Sequence, residues 1–168
     1  MSSDTQQPDE IDDVDLKILA KLQEDAHIGY EDLGNSVDLA DSSVRYRVKG
    51  LEERGIIQSS MTVLDRTKLG FDLLVFGELD VEAGKEKAVA QKLQSLDNIV
   101  GLFSVAGHSD MMALILARNN EDLTEIIEEI RAIKDVHKIT SILTLRTYKT
   151  NLAFKIPLKV ITETSTSK

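Results

Sequence analysis

Hydrophobic residues in the first third of the chain recur at helical spacing. Ile11, Val14, Ile18, Leu19 and Leu22 stand at i, i+3, i+7, i+8 and i+11, which puts them on one helix face. Asp12, Asp13 and Asp15 fall in the first turn, where the helix dipole favours negative charge. The pattern breaks over Asp25–Gly29, and Leu33 and Val37 mark a short second helix over 30–37. After the link Asp38-Leu39-Ala40, a third helix is expected from about Ser42 to Arg54, capped by Asp41 or Ser42 and ended by Gly55. Val44, Val48 and Leu51 form its inward stripe. Three short helices with so tight a link between the last two predict a helix-turn-helix. Residues 58–70 read as an extended connector.

The pattern then changes period. Strands are expected over 71–81, 99–105, 111–117 and 136–148, and helices over 84–96 and 121–133. The second of these helices is the clearest in the chain, with Leu123, Ile126, Ile127, Ile130 and Ile133 on one side. The order βαββαβ predicts a ferredoxin-like arrangement, two helices on one face of a four-stranded antiparallel sheet. The class is therefore α+β. The expected division is a lead over 1–10, a helix-turn-helix domain over 11–60, a linker over 61–70, a βαββαβ domain over 71–150 and a tail over 151–168. The sheet face away from the helices carries apolar residues with nothing to cover them, which marks an association surface.

Composition narrows the chemistry. The 168 residues include no cysteine, which excludes disulfides, thiolate metal sites and cysteine nucleophiles. No apolar run reaches the roughly 18 residues of a membrane span. The first residues are acidic and polar, without the pattern of a signal peptide, so a cytoplasmic protein is expected. The net charge of −9 speaks against nucleic acid only until it is located. Residues 1–40 carry eleven acidic side chains against Lys17 and Lys21, whereas residues 41–168 carry eighteen of each sign. A local patch decides binding, and here the third helix supplies one.

On a wheel of that helix, Ser43, Tyr46, Arg47, Gly50 and Arg54 gather opposite the inward stripe, flanked by Arg45 and Lys49. Hydroxyls and guanidinium groups at the start of such a helix suit phosphates and base edges of double-stranded DNA. Ser42, Ser43, Arg45, Tyr46, Arg47, Lys49 and Arg54 are the candidate contacts. Glu52 and Glu53 dilute the patch. His27, His108 and His137 lack metal-ligand spacing, and no metal site is expected. Gly107-His108-Ser109-Asp110 is a good turn, but neighbours in a turn cannot form a catalytic triad. An enzyme is not expected.

These residues are similar to the leucine-responsive/asparagine-responsive (Lrp/AsnC) regulator family, also called feast/famine regulators. The resemblance runs through Asp12 to Leu19, Leu22 to Ala26, Leu33, Leu39, Arg47 to Ile57 and Val105 to Asp110, and covers about residues 11–150. It implies a winged-type helix-turn-helix joined to a ferredoxin-like ligand-sensing domain. It also implies dimers formed through the sheets, with tetramers and octamers built from them. No cofactor is implied, but an amino acid or related metabolite binds between subunits near the turn. By that carry-over Asp110 meets an effector's amino group and the backbone near Gly107 its carboxylate, with His108 and Ser109 alongside and Thr140 and Ser141 completing the pocket. The chain departs from the family pattern at His27, Gly34, Asp38, Asp41 and Gly50, where arginine, alanine, glycine, serine or proline, and a basic residue are usual. The expected function is a sequence-specific transcriptional regulator. The rival reading is a metabolite-binding or architectural oligomer with little sequence recognition.

Overall fold

A computed structural model of the chain describes residues 11–149. The expected lead over 1–10 and tail over 151–168 lie outside the described residues. The chain divides between residues 62 and 63 into two units.

The first unit is built from α1 (Asp13–Glu24), α2 (Tyr30–Val37) and α3 (Asp41–Glu53). α1 starts where it does because Asp12 and Asp15 cap each other's backbone. The Asp15 N–H donates to Asp12 Oδ1 at 2.8 Å and the Asp12 N–H to Asp15 Oδ2 at 3.3 Å, an all-aspartate capping box. Ile11 therefore precedes the helix and is exposed, rather than continuing its buried stripe. Ile18, Leu33, Val37, Val44, Val48 and Leu51 close the core. A side-chain cap contributes about 1 kcal/mol, whereas burying one such aliphatic side chain contributes about 1.5–3 kcal/mol. The cap thus sets where α1 begins, and the core decides that it forms.

The link from α2 to α3 is tight. Asp38 closes α2 in the left-handed region, at φ 57°, and the Leu39 N–H returns to Gly34 O at 3.0 Å. Gly34 allows this approach: a Cβ there would lie 2.5 Å from the Leu39 carbonyl oxygen. α3 has Ala40 at its N-cap and no side-chain cap, so Asp41 occupies the first helical position instead of capping it. Gly55, at φ +69°, ends it as expected. Among the described residues of this unit no strand follows α3.

The second unit holds β1 (Leu73–Val81), α4 (Glu86–Leu93), β2 (Ile99–Ser104), β3 (Met111–Ala117), α5 (Asn120–Arg131) and β4 (Val136–Leu143). The strands form one antiparallel sheet in the order β2-β3-β1-β4. Directly opposed residues share a face. One face, with Val75, Leu79, Met111, Ala113, Ile115 and Ile139, packs on Val89 and Leu93 of α4 and Ile126, Ile127 and Ile130 of α5. The other face has its own small cluster of Phe71, Leu74, Leu114 and Leu116. Towards its edges Phe103 is 54% exposed and Ile142 46% exposed. The connector is not featureless: residues 66–71 form a hydrogen-bonded turn, in which Arg66 Nη1 donates to Phe71 O at 2.5 Å and Asp72 O at 2.9 Å. That turn seats Phe71, fully buried, under the sheet.

α5 begins on a second polar lock. Asn119 Oδ1 accepts from the Asp122 N–H at 2.9 Å, and Asp122 accepts from the Arg118 N–H at 2.7 Å and from Arg118 Nη2 at 2.6 Å. Burial alone would raise the Asp122 carboxyl, but the Arg118 bonds outweigh it and hold it below its ordinary 3.8. A carboxyl depressed on folding stabilises the fold above its unfolded value, and that stability is lost as pH falls through the folded value. Melting the chain at pH 7, 4 and 3 is therefore expected to show stability declining below about pH 4. Asp122→Asn is expected to be less stable at pH 7 yet flatter in its acid dependence. An unchanged acid dependence in that variant would remove Asp122 from the account.

Candidate nucleic-acid interface and effector turn

The stripe Val44, Val48 and Leu51 faces the core, so α3 turns Ser42, Ser43, Arg45, Tyr46, Lys49 and Arg54 outward. Tyr46 is 80% exposed. The outward cations are not bare. Arg45 Nη2 stands 3.6 Å from Asp41 Oδ2, and its guanidinium lies 4.3 Å from the centre of the Tyr30 ring. Lys49 Nζ stands 3.5 Å from Glu53 Oε1. Exposed pairs of this length are worth only about 0.2–1 kcal/mol, so a phosphate or base edge can displace or join them.

Arg47 differs from the outward placement expected on the wheel. Its Nη1 reaches across to α1, donating to Asp12 Oδ2 at 2.7 Å and Asp15 Oδ1 at 2.8 Å. Bonds to Asp15 first, then to Asp12, raise the guanidinium above its ordinary value. The Asp15 N–H and Arg47 together lower the Asp12 carboxyl. The cap of α1 and the middle of the outward-facing helix are thereby tied together. Nothing in the spacing of residues 12, 15 and 47 announces this tie, because it depends on how α3 crosses α1.

The turn from β2 to β3 carries Gly107, His108, Ser109 and Asp110. Asp110 is stitched to the end of β1: the Val81 N–H donates to its Oδ2 at 2.8 Å, and its own N–H donates to Leu79 O at 3.0 Å. Both bonds fall beside the register shift at Asp80/Val81. Ser109 is buried, Gly107 and His108 are exposed, and no neighbour lies within 4 Å of a Cβ built at Gly107. His108 Nε2 lies 3.1 Å from Glu78 Oε2. Glu78 pairs with Thr140 and Gly77 with Ser141. Thr140 thus shares a sheet face with Glu78, while Ser141 faces the helices' side. The two β4 residues do not meet at one site. Glu78, beside His108, was not among the expected residues of the turn. Its signal was available, since Glu78 and Asp80 are polar at alternate positions of an otherwise apolar strand.

Comparison with known proteins agrees with both halves. A family model described as an AsnC-type helix-turn-helix domain matches residues 11–52, and one described as an Lrp/AsnC ligand binding domain matches residues 74–154. The chain is 31% identical to the HTH-type transcriptional regulator FL11 of Pyrococcus furiosus, over 83% of this chain and 92% of that protein. It is 34% identical to the HTH-type transcriptional regulator LrpA of Pyrococcus horikoshii, over 83% of this chain and 99% of that one. Among solved structures, a feast or famine regulatory protein from M. tuberculosis, complexed with L-methionine, superposes with a TM-score of 0.80. The superposition covers 84% of this chain and 97% of that one at 22% identity, which speaks to the fold.

Proposed function

Since the chain belongs to the Lrp/AsnC family of helix-turn-helix transcriptional regulators, we propose that it reads duplex DNA with the outward face of α3 and assembles through the outer face of its sheet. The observation that carries the reading is the composition of that helix face. Ser42, Ser43 and Tyr46 stand outward on a helix whose other side is wholly committed to a core. Such residues serve the fold little and suit base edges and phosphates well. Arg45, Lys49 and Arg54 add charge around them, and Arg47 holds the helix in place.

Self-association follows from the sheet. Phe103 and Ile142 are exposed, with the partly buried Phe76 and Met112 between them on the same face. A second copy that covers this face removes apolar area from water. The effector reading rests on the turn. Asp110 with Glu78, His108 and Thr140 form a polar edge able to take the ammonium group of an amino acid, with Gly107 leaving its backbone approachable. The methionine complex of the M. tuberculosis relative supports an amino acid as the class of ligand. An effector of this kind acts by binding one assembly better than another. The role is regulatory and not catalytic.

Tyr46→Ala tests the reader. The side chain is so exposed that the melting temperature should stay within a degree or two. Anisotropy titration against a DNA site selected by the wild-type protein should show binding at least about tenfold weaker. Equal affinity would remove α3 as the reading element. A thermal-shift screen of the twenty amino acids, followed by light scattering of any hit, tests the effector. A ligand that binds only the folded state raises its melting temperature.

A further inference from the structure

The pair formed by Asp41 and Arg45 has a chemistry that a phosphate contact does not explain. Its arm is held from two sides, by the Tyr30 ring 4.3 Å beneath the guanidinium and by the Asp41 carboxylate 3.6 Å from Nη2. A guanidinium so placed has less freedom left to lose on binding, because the ring and the carboxylate already bias its orientation. Yet the pair is neutral overall. A phosphodiester offers only acceptors and negative charge, so the carboxylate beside Arg45 opposes such a contact.

The major-groove edge of a G·C pair offers something else. It presents in sequence guanine N7 and O6, both acceptors, and cytosine N4, a donor. Two guanidinium N–H groups match the first two, and a carboxylate matches the third. The spacing also agrees. Guanine O6 and cytosine N4 are hydrogen-bonded to each other at about 2.9 Å, and the Arg45 donor and Asp41 acceptor that would meet them stand 3.6 Å apart. An A·T pair presents acceptor, donor, acceptor instead. It would set the adenine amino group against the guanidinium and thymine O4 against the carboxylate. Both residues lie in the first half of α3, the part of a recognition helix that reaches base edges.

We propose that Asp41 and Arg45 act as one unit that reads a G·C base pair in each half-site, Arg45 on the guanine and Asp41 on its cytosine. The proposal rests on α3 being the reading helix. It also assigns a purpose to the carboxylate at position 41, which costs affinity and returns discrimination.

The test uses the full chain and duplexes selected from a randomised pool, with the preferred G·C pair then changed to A·T. Wild type should bind the selected duplex about ten- to a hundredfold more tightly than the changed one. Arg45→Ala should lose most of that ratio, through weaker binding of the selected duplex and little change on the other. Asp41→Ala, which leaves no acceptor for cytosine N4, should lose the ratio in the opposite manner, with binding of the changed and random duplexes tightened and a steeper salt dependence. Melting curves confirm that both variants fold, as exposed positions allow. A uniform loss across all duplexes in Arg45→Ala would make Arg45 a phosphate contact and overturn the proposal. So would an Asp41→Ala protein that keeps the G·C preference intact. Failure of the wild-type protein to enrich any sequence would sink the DNA-reading function itself. Enrichment without a G·C position that responds to these residues would sink only the paired reading.

Discussion

Arg47→Ala is expected to destabilise the helical unit by about 2–3 kcal/mol. The Asp15 side chain is only 8% exposed, and Arg47 is its cationic partner. Removing one partner of a fully buried ion pair costs about 3–5 kcal/mol, chiefly because the other charge is left uncompensated. Arg47 itself is 32% exposed, so solvent relieves part of that penalty and the lower figure applies. Stability in small domains runs at about 0.05–0.15 kcal/mol per residue, which for some 40 residues gives about 2–6 kcal/mol. The variant should therefore lose about a third or more of the unit's stability, and all of it at the low end of that range. Arg47→Lys should fall between, because one ammonium group lacks the planar fork and long reach of a guanidinium. Urea denaturation followed by circular dichroism gives the stability, and anisotropy at low temperature gives DNA affinity in the fraction still folded. If Arg47→Ala melts like wild type but binds DNA weakly, the side chain is a DNA contact and the brace is not real.

Gly34→Val is expected to have an effect at least as large, about 3 kcal/mol or more. Even the first atom of a new side chain would sit 2.5 Å from the Leu39 carbonyl oxygen. The obstacle is backbone within a tight link, which cannot swing aside as a flexible side chain can. Overpacking typically costs about 1–3 kcal/mol, and valine adds two further methyl groups at a buried position. Helix propensity offsets only a few tenths of that. Whatever fraction folds must open the link between α2 and α3, so the outward face of α3 is displaced as well. Thermal melts and DNA titration should both decline. A Gly34→Val protein of wild-type stability would mean that the link is looser than the structure shows.

Much of the fold was legible because it rests on periodic burial. The stripes on α3 and α5 appear in the structure as expected. The ends of elements were less legible, and each has a physical reason. β4 stops at Leu143 instead of running to Tyr148, since its pairing partner β1 begins at Leu73 and the last bond joins Thr144 to Leu74. α4 begins at Glu86 and not at residue 84, because Gly84 takes φ +79°. In the candidate sites, exposure could be read from a wheel but pairing could not. The Arg47 brace depends on a helix crossing, tertiary geometry to which local pattern is blind. The opposite facings of Thr140 and Ser141, by contrast, follow from the alternation of any strand and were legible.

The strand order also carries a consequence for synthesis. β1 is interior to the sheet, and one of its two partners, β4, is the last strand to be made among the described residues. The helical unit is complete by residue 62, roughly 80 residues earlier. At about 5–20 residues per second, the ribosome releases a finished helical unit some 4–16 s before β4 is complete. From the completion of β1 at Val81 until β4 follows, β1 keeps one unpaired edge, a template on which a strand of another nascent chain can add.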